Sequence, residues 1–343
     1  MKEIYYSIIA PIIYILFSIL YINMAKSFNI YDHPVGRSSH LHRTITGYGL
    51  FNLIGLLMYC LVFPYTLNSF FIIGLIMVST ISFIDDIVFV KHFVRLIFQI
   101  FALILLAIEL PFAFLDVEKW PIVIACVILG VLVLNAFNFI DGINGMLGLN
   151  SLVILLSLWW INENTISIDG DPLHFINPYL IYTFIVGVSV FLFFNLRKKA
   201  IVFAGDVGSI AIAFIIFYLI LNLIFTTGNI AYFLLFSVIG VDTGLTVIYK
   251  LILKENIFVP HRDFLFKKLV HVGKHPHVKV SIVYASIQAL ISIIIIFLPL
   301  QGKLSAQLSI LFIFVFLLCA TYIFVRNKYT KQRIIRLRDN DVD

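Results

Sequence analysis

Eleven apolar runs, each about as long as the hydrocarbon core of a bilayer requires, alternate with polar connections along the chain. They lie near residues 4–24, 49–67, 69–84, 93–110, 121–139, 148–163, 178–195, 209–226, 230–250, 279–299 and 304–325. A backbone that crosses lipid has to bond to itself, and a helix does so. The pattern predicts an all-α integral membrane protein, a polytopic bundle of about 11 transmembrane helices in one membrane-embedded domain over residues 1–343, with a basic tail at 326–343. The first run, Ile4 to Met24, is longer than a signal-peptide core and no small-residue cleavage site follows it, so it reads as an uncleaved span. Little more than Thr66-Leu67-Asn68 separates the second run from the third.

Composition excludes a soluble domain: 62% of residues are hydrophobic, 12% are charged and mean hydropathy is +1.06, against roughly a quarter charged in soluble proteins. Charge also orients the chain. Connections after the odd-numbered runs, together with the tail, contain 21 of the 24 Lys and Arg residues, leaving Lys2, Lys119 and Lys303 on the other side. The positive-inside rule makes the rich side cytoplasmic, with the N-terminus external and the C-terminus cytoplasmic in a multi-pass protein of the cytoplasmic (inner) membrane. Trp159 and Trp160 fall where an interfacial aromatic belt is expected. A net charge of +6 calls for anionic lipid headgroups and no nucleic acid. Cys60, Cys126 and Cys319 lie inside apolar runs, without metal-ligand or disulfide spacing.

Motif-like polar stretches gather on the basic side, as loops that would form a cytoplasmic active site. Asp32 to Gly47 follows the first run, Asp85-Asp86 the third, Asn135-Ala-Phe-Asn-Phe-Ile-Asp-Gly-Ile-Asn-Gly-Met146 the fifth, Val202-Phe-Ala-Gly-Asp-Val-Gly-Ser209 the seventh, and Pro260-His-Arg-Asp-Phe-Leu-Phe-Lys-Lys-Leu269 the ninth. An ionisable group at membrane depth costs roughly 2.5–3.5 kcal/mol, so Asp141 beside Asn138 marks a functional site. Gly205-Asp206-Val-Gly208-Ser209 reads either as a capped helix start or as a carboxylate opening a helix beside a phosphate. Arg197-Lys-Lys199 reads first as a topology signal and second as an attractor of phosphate; Asp242 inside the ninth run reads first as a structural partner for a cationic group and second as a support for the active site. His40, His42, His261, His271, His275 and His277 are on the basic side, without a zinc-ligand spacing. Hard carboxylate oxygens without thiolates point to Mg²⁺, with Mn²⁺ as the alternative. With nearby Arg, Lys and His, the expected chemistry is phosphoryl or phosphosugar transfer, and the membrane setting makes one substrate a lipid.

In their order, these stretches resemble the polyprenyl-phosphate N-acetylhexosamine-1-phosphate transferases. The pieces that carry the resemblance are Asp32 to Gly49, Asp85-Asp86, Asn135-x-x-Asn138-x-x-Asp141-Gly-x-Asn144-Gly, Phe203-x-Gly205-Asp206-x-Gly208-Ser209 and His261-Arg262-Asp263. The resemblance implies transfer of a sugar-1-phosphate from a UDP-N-acetylhexosamine to undecaprenyl phosphate on the cytoplasmic face, with release of UMP. It implies Asp85, Asp86 and Asp141 as catalytic residues, Asp206 as the metal ligand, and Arg43, Asn135, Asn138, His261 and Arg262 as substrate-binding residues. Membrane lipids are further expected partners, and a homodimer is left open.

Two positions depart from the family pattern. Asn144 stands where many relatives have a second aspartate, and Phe264-Leu-Phe266-Lys267-Lys268 replaces a histidine cluster. His261, Arg262, Lys267 or Lys268 would then supply the cations for phosphate in that loop. The missing triple histidine is closer to the branches that start O-antigen, enterobacterial common antigen and wall teichoic acid than to the peptidoglycan branch. UDP-GlcNAc is the first candidate donor and a 6-deoxy-N-acetylhexosamine donor the second. A transporter would put its charges near the midplane, and a scaffold would not need the retained carboxylates.

Overall fold

The structure is a computed structural model and describes residues 2–32, 43–109, 120–165, 174–255, 263–298 and 304–340. Among the described residues twelve α-helices run in chain order: α1 Lys2–Ser27, α2 Phe51–Val62, α3 Ser69–Ile87, α4 His92–Glu109, α5 Trp120–Ile140, α6 Met146–Asn164, α7 Pro178–Asn195, α8 Gly205–Thr227, α9 Ser237–Ile252, α10 Leu265–His271, α11 His277–Phe297 and α12 Leu304–Asn340. Among the described residues nine segments are long and apolar enough to cross a membrane, and the shorter apolar helices Tyr48–Val62 and His92–Ile108 occupy the second and fourth predicted runs. The expected polytopic α-helical membrane bundle is what the chain forms. The third run begins as read, because Asn68 caps α3 by accepting the Phe70 N–H at 3.2 Å, whereas α2 ends at Val62, short of the 49–67 run.

The bundle is built around α8. Its apolar residues run all the way round rather than along one stripe, as expected of a helix enclosed by others, and from Val207 to Leu221 every residue is buried. It packs against α2, α3, α5 and α6, while α1 and α12 at the periphery turn rows of Ile, Leu and Phe outward. A helix buried this way has a fixed N-terminus, and that end carries Asp206.

Three local features depart from the simple pattern. The ninth run divides into the 3₁₀ segment Ile230–Phe236 and α9. Gln288 of α11 reaches into the break, accepting the Val238 N–H at 3.2 Å and donating to the Leu234 carbonyl at 3.1 Å, so the freed backbone groups stay paired. The last helix continues through the basic tail to Asn340. The polar connection after the ninth run contains α10, and its start supplies hydrogen-bond partners to Asp242. That buried carboxylate accepts the N–H groups of Leu265 and Phe266 at 2.9 and 3.2 Å and the Tyr284 hydroxyl at 2.6 Å. Its hydrogen-bond partners are the unsatisfied donors at a helix start and a tyrosine hydroxyl, and the positive charge of Arg326 acts on it as well.

Candidate active site

Two backbone segments lie side by side at the N-terminal end of α8. The strands β1 (Tyr31–Asp32) and β2 (Thr44–Ile45) pair antiparallel, and Ile45 also bridges Val202 in parallel. The contact continues past the strand, with Tyr48 N–H donating to Phe203 O at 3.3 Å and Gly49 N–H to Ala204 O at 2.9 Å. At Gly49 a side chain would overlap the backbone of Gly208, so the close approach depends on glycine at both positions. Gly205, at φ +72°, turns the chain into α8. The glycines read in sequence as part of a motif therefore serve to bring two backbones together.

Carboxylates converge on this turn from two other helix ends. Asp85 and Asp86 are consecutive on α3, about 100° apart round the helix, so they point to different neighbours. Asp86 caps α8, accepting the N–H groups of Asp206 and Val207 at 2.9 and 3.1 Å. Asp85 turns towards α4, accepting the Val90 N–H at 2.7 Å and pairing with Arg95. Arg95 Nη1 also lies 2.5 Å from Asp206 Oδ2, so one guanidinium nitrogen bridges the carboxylates of Asp85 and Asp206. Asn138, near the end of α5, donates to Asp206 Oδ1 at 2.7 Å and to Ser209 Oγ at 3.1 Å. Just past α5, Asp141 Oδ2 accepts the Gly205 N–H at 3.1 Å. Burial pushes the Asp141 carboxyl well above the ordinary carboxylate range, and the charges of Asp86 and Asp206 add to the effect.

The site therefore gathers Asp85, Asp86, Asn138, Asp141 and Asp206, all of them candidates from sequence. Asn135 sits one turn back on α5, bonding Gln99 Oε1 at 3.0 Å and the Val131 carbonyl at 2.8 Å, so it braces α5 against α4 rather than facing the cluster. Arg43 is exposed just ahead of β2, with no ion pair to the cluster among the described residues. His261 and Arg262 lie outside the described residues. Asn144 has a structural task. It is buried and donates to the carbonyl of Arg197 at 2.7 Å, and a carboxylate there would set acceptor against acceptor.

Sequence reasoning counted Arg95 only as a topology charge. Its position ten residues after Asp85, at the start of a span, was the available signal, but which carboxylate it meets depends on how α3, α4 and α8 pack. Lys267, one of the cations expected of the loop after the ninth run, is placed close to the cluster. The Phe264 ring packs on Phe139 with centroids 5.1 Å apart, and Lys267 Nζ lies over Phe264 and Phe266, 5.3 and 5.8 Å from their centroids. A Cβ at Gly142 would come 3.1 Å from Lys267 Cε, which brings this cation to the residue beside Asp141.

The donor set can be tested against a divalent ion. No group of three or more His, Cys, Asp or Glu side chains arranged for a metal occurs among the described residues. Two carboxylates that already share one cationic nitrogen do suit Mg²⁺, which is commonly held by one or two carboxylates and completed by substrate phosphates. Asp206 and Asp85 would be the protein ligands.

Residues 68–224 match glycosyl transferase family 4. The matched segment starts at the cap of α3 and ends within α8, so it contains Asp85, Asp86, Arg95, Asn138, Asp141 and Asp206. The match supports a transferase, and in general terms a polyprenyl-phosphate sugar-phosphate transferase. No curated protein matches the chain.

Proposed function

We propose that the protein transfers an N-acetylhexosamine-1-phosphate, GlcNAc-1-phosphate first among the candidates, from a UDP-sugar to undecaprenyl phosphate on the cytoplasmic face of the cell membrane. This would be the initiating step of a cell-surface polysaccharide. The observation that carries the reading is the meeting of Asp85, Asp86, Asp141 and Asp206 with Arg95 where one buried helix begins. A lipid phosphate oxygen attacks the β-phosphorus, the bond from that phosphorus to the bridging oxygen breaks, and UMP leaves with the bond's electron pair. The attacking oxygen is already anionic, so the protein's main tasks are alignment and charge neutralisation.

Mg²⁺ bound at Asp206 and Asp85 would neutralise charge on the pyrophosphate. Asn138 holds the Asp206 carboxylate in one orientation, and Asp86 keeps the start of α8 in place beneath it. Arg95 balances the negative charge between Asp85 and Asp206, and Lys267 offers a cation at the rim by Gly142. Arg95→Ala is expected to lower turnover about 10²-fold. Arg95→Lys, which keeps the charge and loses the planar fork, should fall between that variant and wild type. Equal turnover in all three would remove Arg95 from the site.

The reading is tested by incubating membranes that contain the protein with undecaprenyl phosphate, Mg²⁺ and a panel of labelled UDP-N-acetylhexosamines, 6-deoxy donors included. Label is expected in organic-extractable lipid with matching UMP release, both abolished by chelation. Absence of lipid label from every donor, with a control enzyme active in the same assay, would overturn the proposal.

A further inference from the structure

At the same end of the bundle as the acidic cluster, an open groove of about 820 Å³ runs between the end of α7 and the start of α11. It shares no lining residue with that cluster. Leu196, Ile282 and Val283 form an apolar wall, and Arg197, Lys198 and Lys279 supply positive charge. None of the lining residues is acidic. Among the described residues, no carboxylate pairs with these three cations; Arg197 is held by its own helix end, donating through Nε to the Phe193 carbonyl at 2.8 Å and stacking on the Phe193 ring.

The two walls are tied to each other. Asn144 Nδ2 donates to the carbonyl of Arg197, and the Asn144 carbonyl accepts Ser281 Oγ at 2.8 Å, so one buried residue bonds both sides. The groove is thus preformed rather than dependent on side-chain rearrangement. Lys279 lies in the first turn of α11, where the helix dipole itself favours an anion. A positive rim over an apolar wall, on helices that read as membrane spans, matches a molecule with a negative head and hydrocarbon tails.

We propose that this groove binds an anionic phospholipid of the surrounding bilayer, its phosphate against Arg197, Lys198 and Lys279 and its acyl chains along Leu196, Ile282 and Val283. Basic pockets between membrane helices recognise lipid headgroups through this combination of charge and apolar contact. A topology signal alone needs positive charge at the membrane surface but no walled groove. The binding is independent of which sugar the acidic cluster takes.

The test uses the full chain in lipid nanodiscs with acyl-photoactivatable phosphatidylglycerol or phosphatidylcholine, and maps the crosslinked peptides. Phosphatidylglycerol is expected to label peptides containing residues 196–198 and 276–283 at least about fivefold more than phosphatidylcholine. Replacing Arg197, Lys198 and Lys279 together by Gln should remove that preference, whereas Lys331→Gln with Arg333→Gln in the tail should leave it intact. Equal labelling by the two lipids in the wild-type protein would overturn the proposal without reliance on any variant. Loss of the phosphatidylglycerol label on adding undecaprenyl phosphate would also overturn it, by making the groove a site for the polyprenyl lipid.

Discussion

Asp206→Asn is expected to reduce lipid labelling about 10³-fold or more while the protein remains folded in the membrane. The magnitude follows from the position of the charge. Asp206 stands at the start of α8, its Oδ2 on Arg95 and its Oδ1 on Asn138. Asparagine keeps the shape and one acceptor but loses the negative charge, and its amide can turn a donor towards the guanidinium or towards the Asn138 amide. A metal or cationic clamp on a transferring phosphoryl group supplies several kcal/mol, and about 1.36 kcal/mol corresponds to each factor of ten. The fold should persist because α8 is held by its enclosed apolar length. Turnover and thermal unfolding of the purified variant in detergent check both halves. Near-normal turnover would remove Asp206 as a metal ligand.

Asp86→Asn is expected to impair stability as well as turnover, in contrast to Asp85→Asn. Both Asp86 oxygens accept backbone N–H groups at the first turn of α8. An amide has one acceptor, so either the Asp206 or the Val207 N–H is left facing another donor. An unsatisfied buried donor costs about 1–3 kcal/mol, and the start of α8 that carries Asp206 would shift with it, lowering turnover about 10²-fold. Asp85→Asn retains an oxygen for Val90 or Arg95 and leaves Arg95 paired with Asp206, so its turnover should fall with a smaller change in unfolding midpoint. Thermal melts of the two variants side by side distinguish the roles. An Asp86→Asn midpoint equal to wild type would refute the capping role.

Much of the site was legible because a carboxylate or amide at a span end is costly in lipid and stands out against apolar sequence. Asp85, Asp86, Asn138, Asp141 and Asp206 were found on that signal, and the structure joins them by hydrogen bonds and the Arg95 bridge. Asn135 and Asn144 are equally polar, yet their hydrogen bonds go to other parts of the protein. One braces α5 against α4 and the other closes the turn onto the Arg197 carbonyl. Polarity reports that a side chain needs a partner, and a neighbouring helix can supply one as well as a substrate can. Asp242 shows this for charge: besides the field of Arg326, it bonds a helix start and a tyrosine.

Membrane class and the order of the spans are legible in the chain alone, because burial in lipid acts on each segment through its own length and composition. Tertiary structure alone decided which carboxylate faces which partner. Asp85 and Asp86 are neighbours in the chain, yet one meets Arg95 and the other caps α8. That division arises from the packing of α3, α4 and α8 and from the glycine contact between residues 49 and 208, interactions between parts of the chain far apart in sequence.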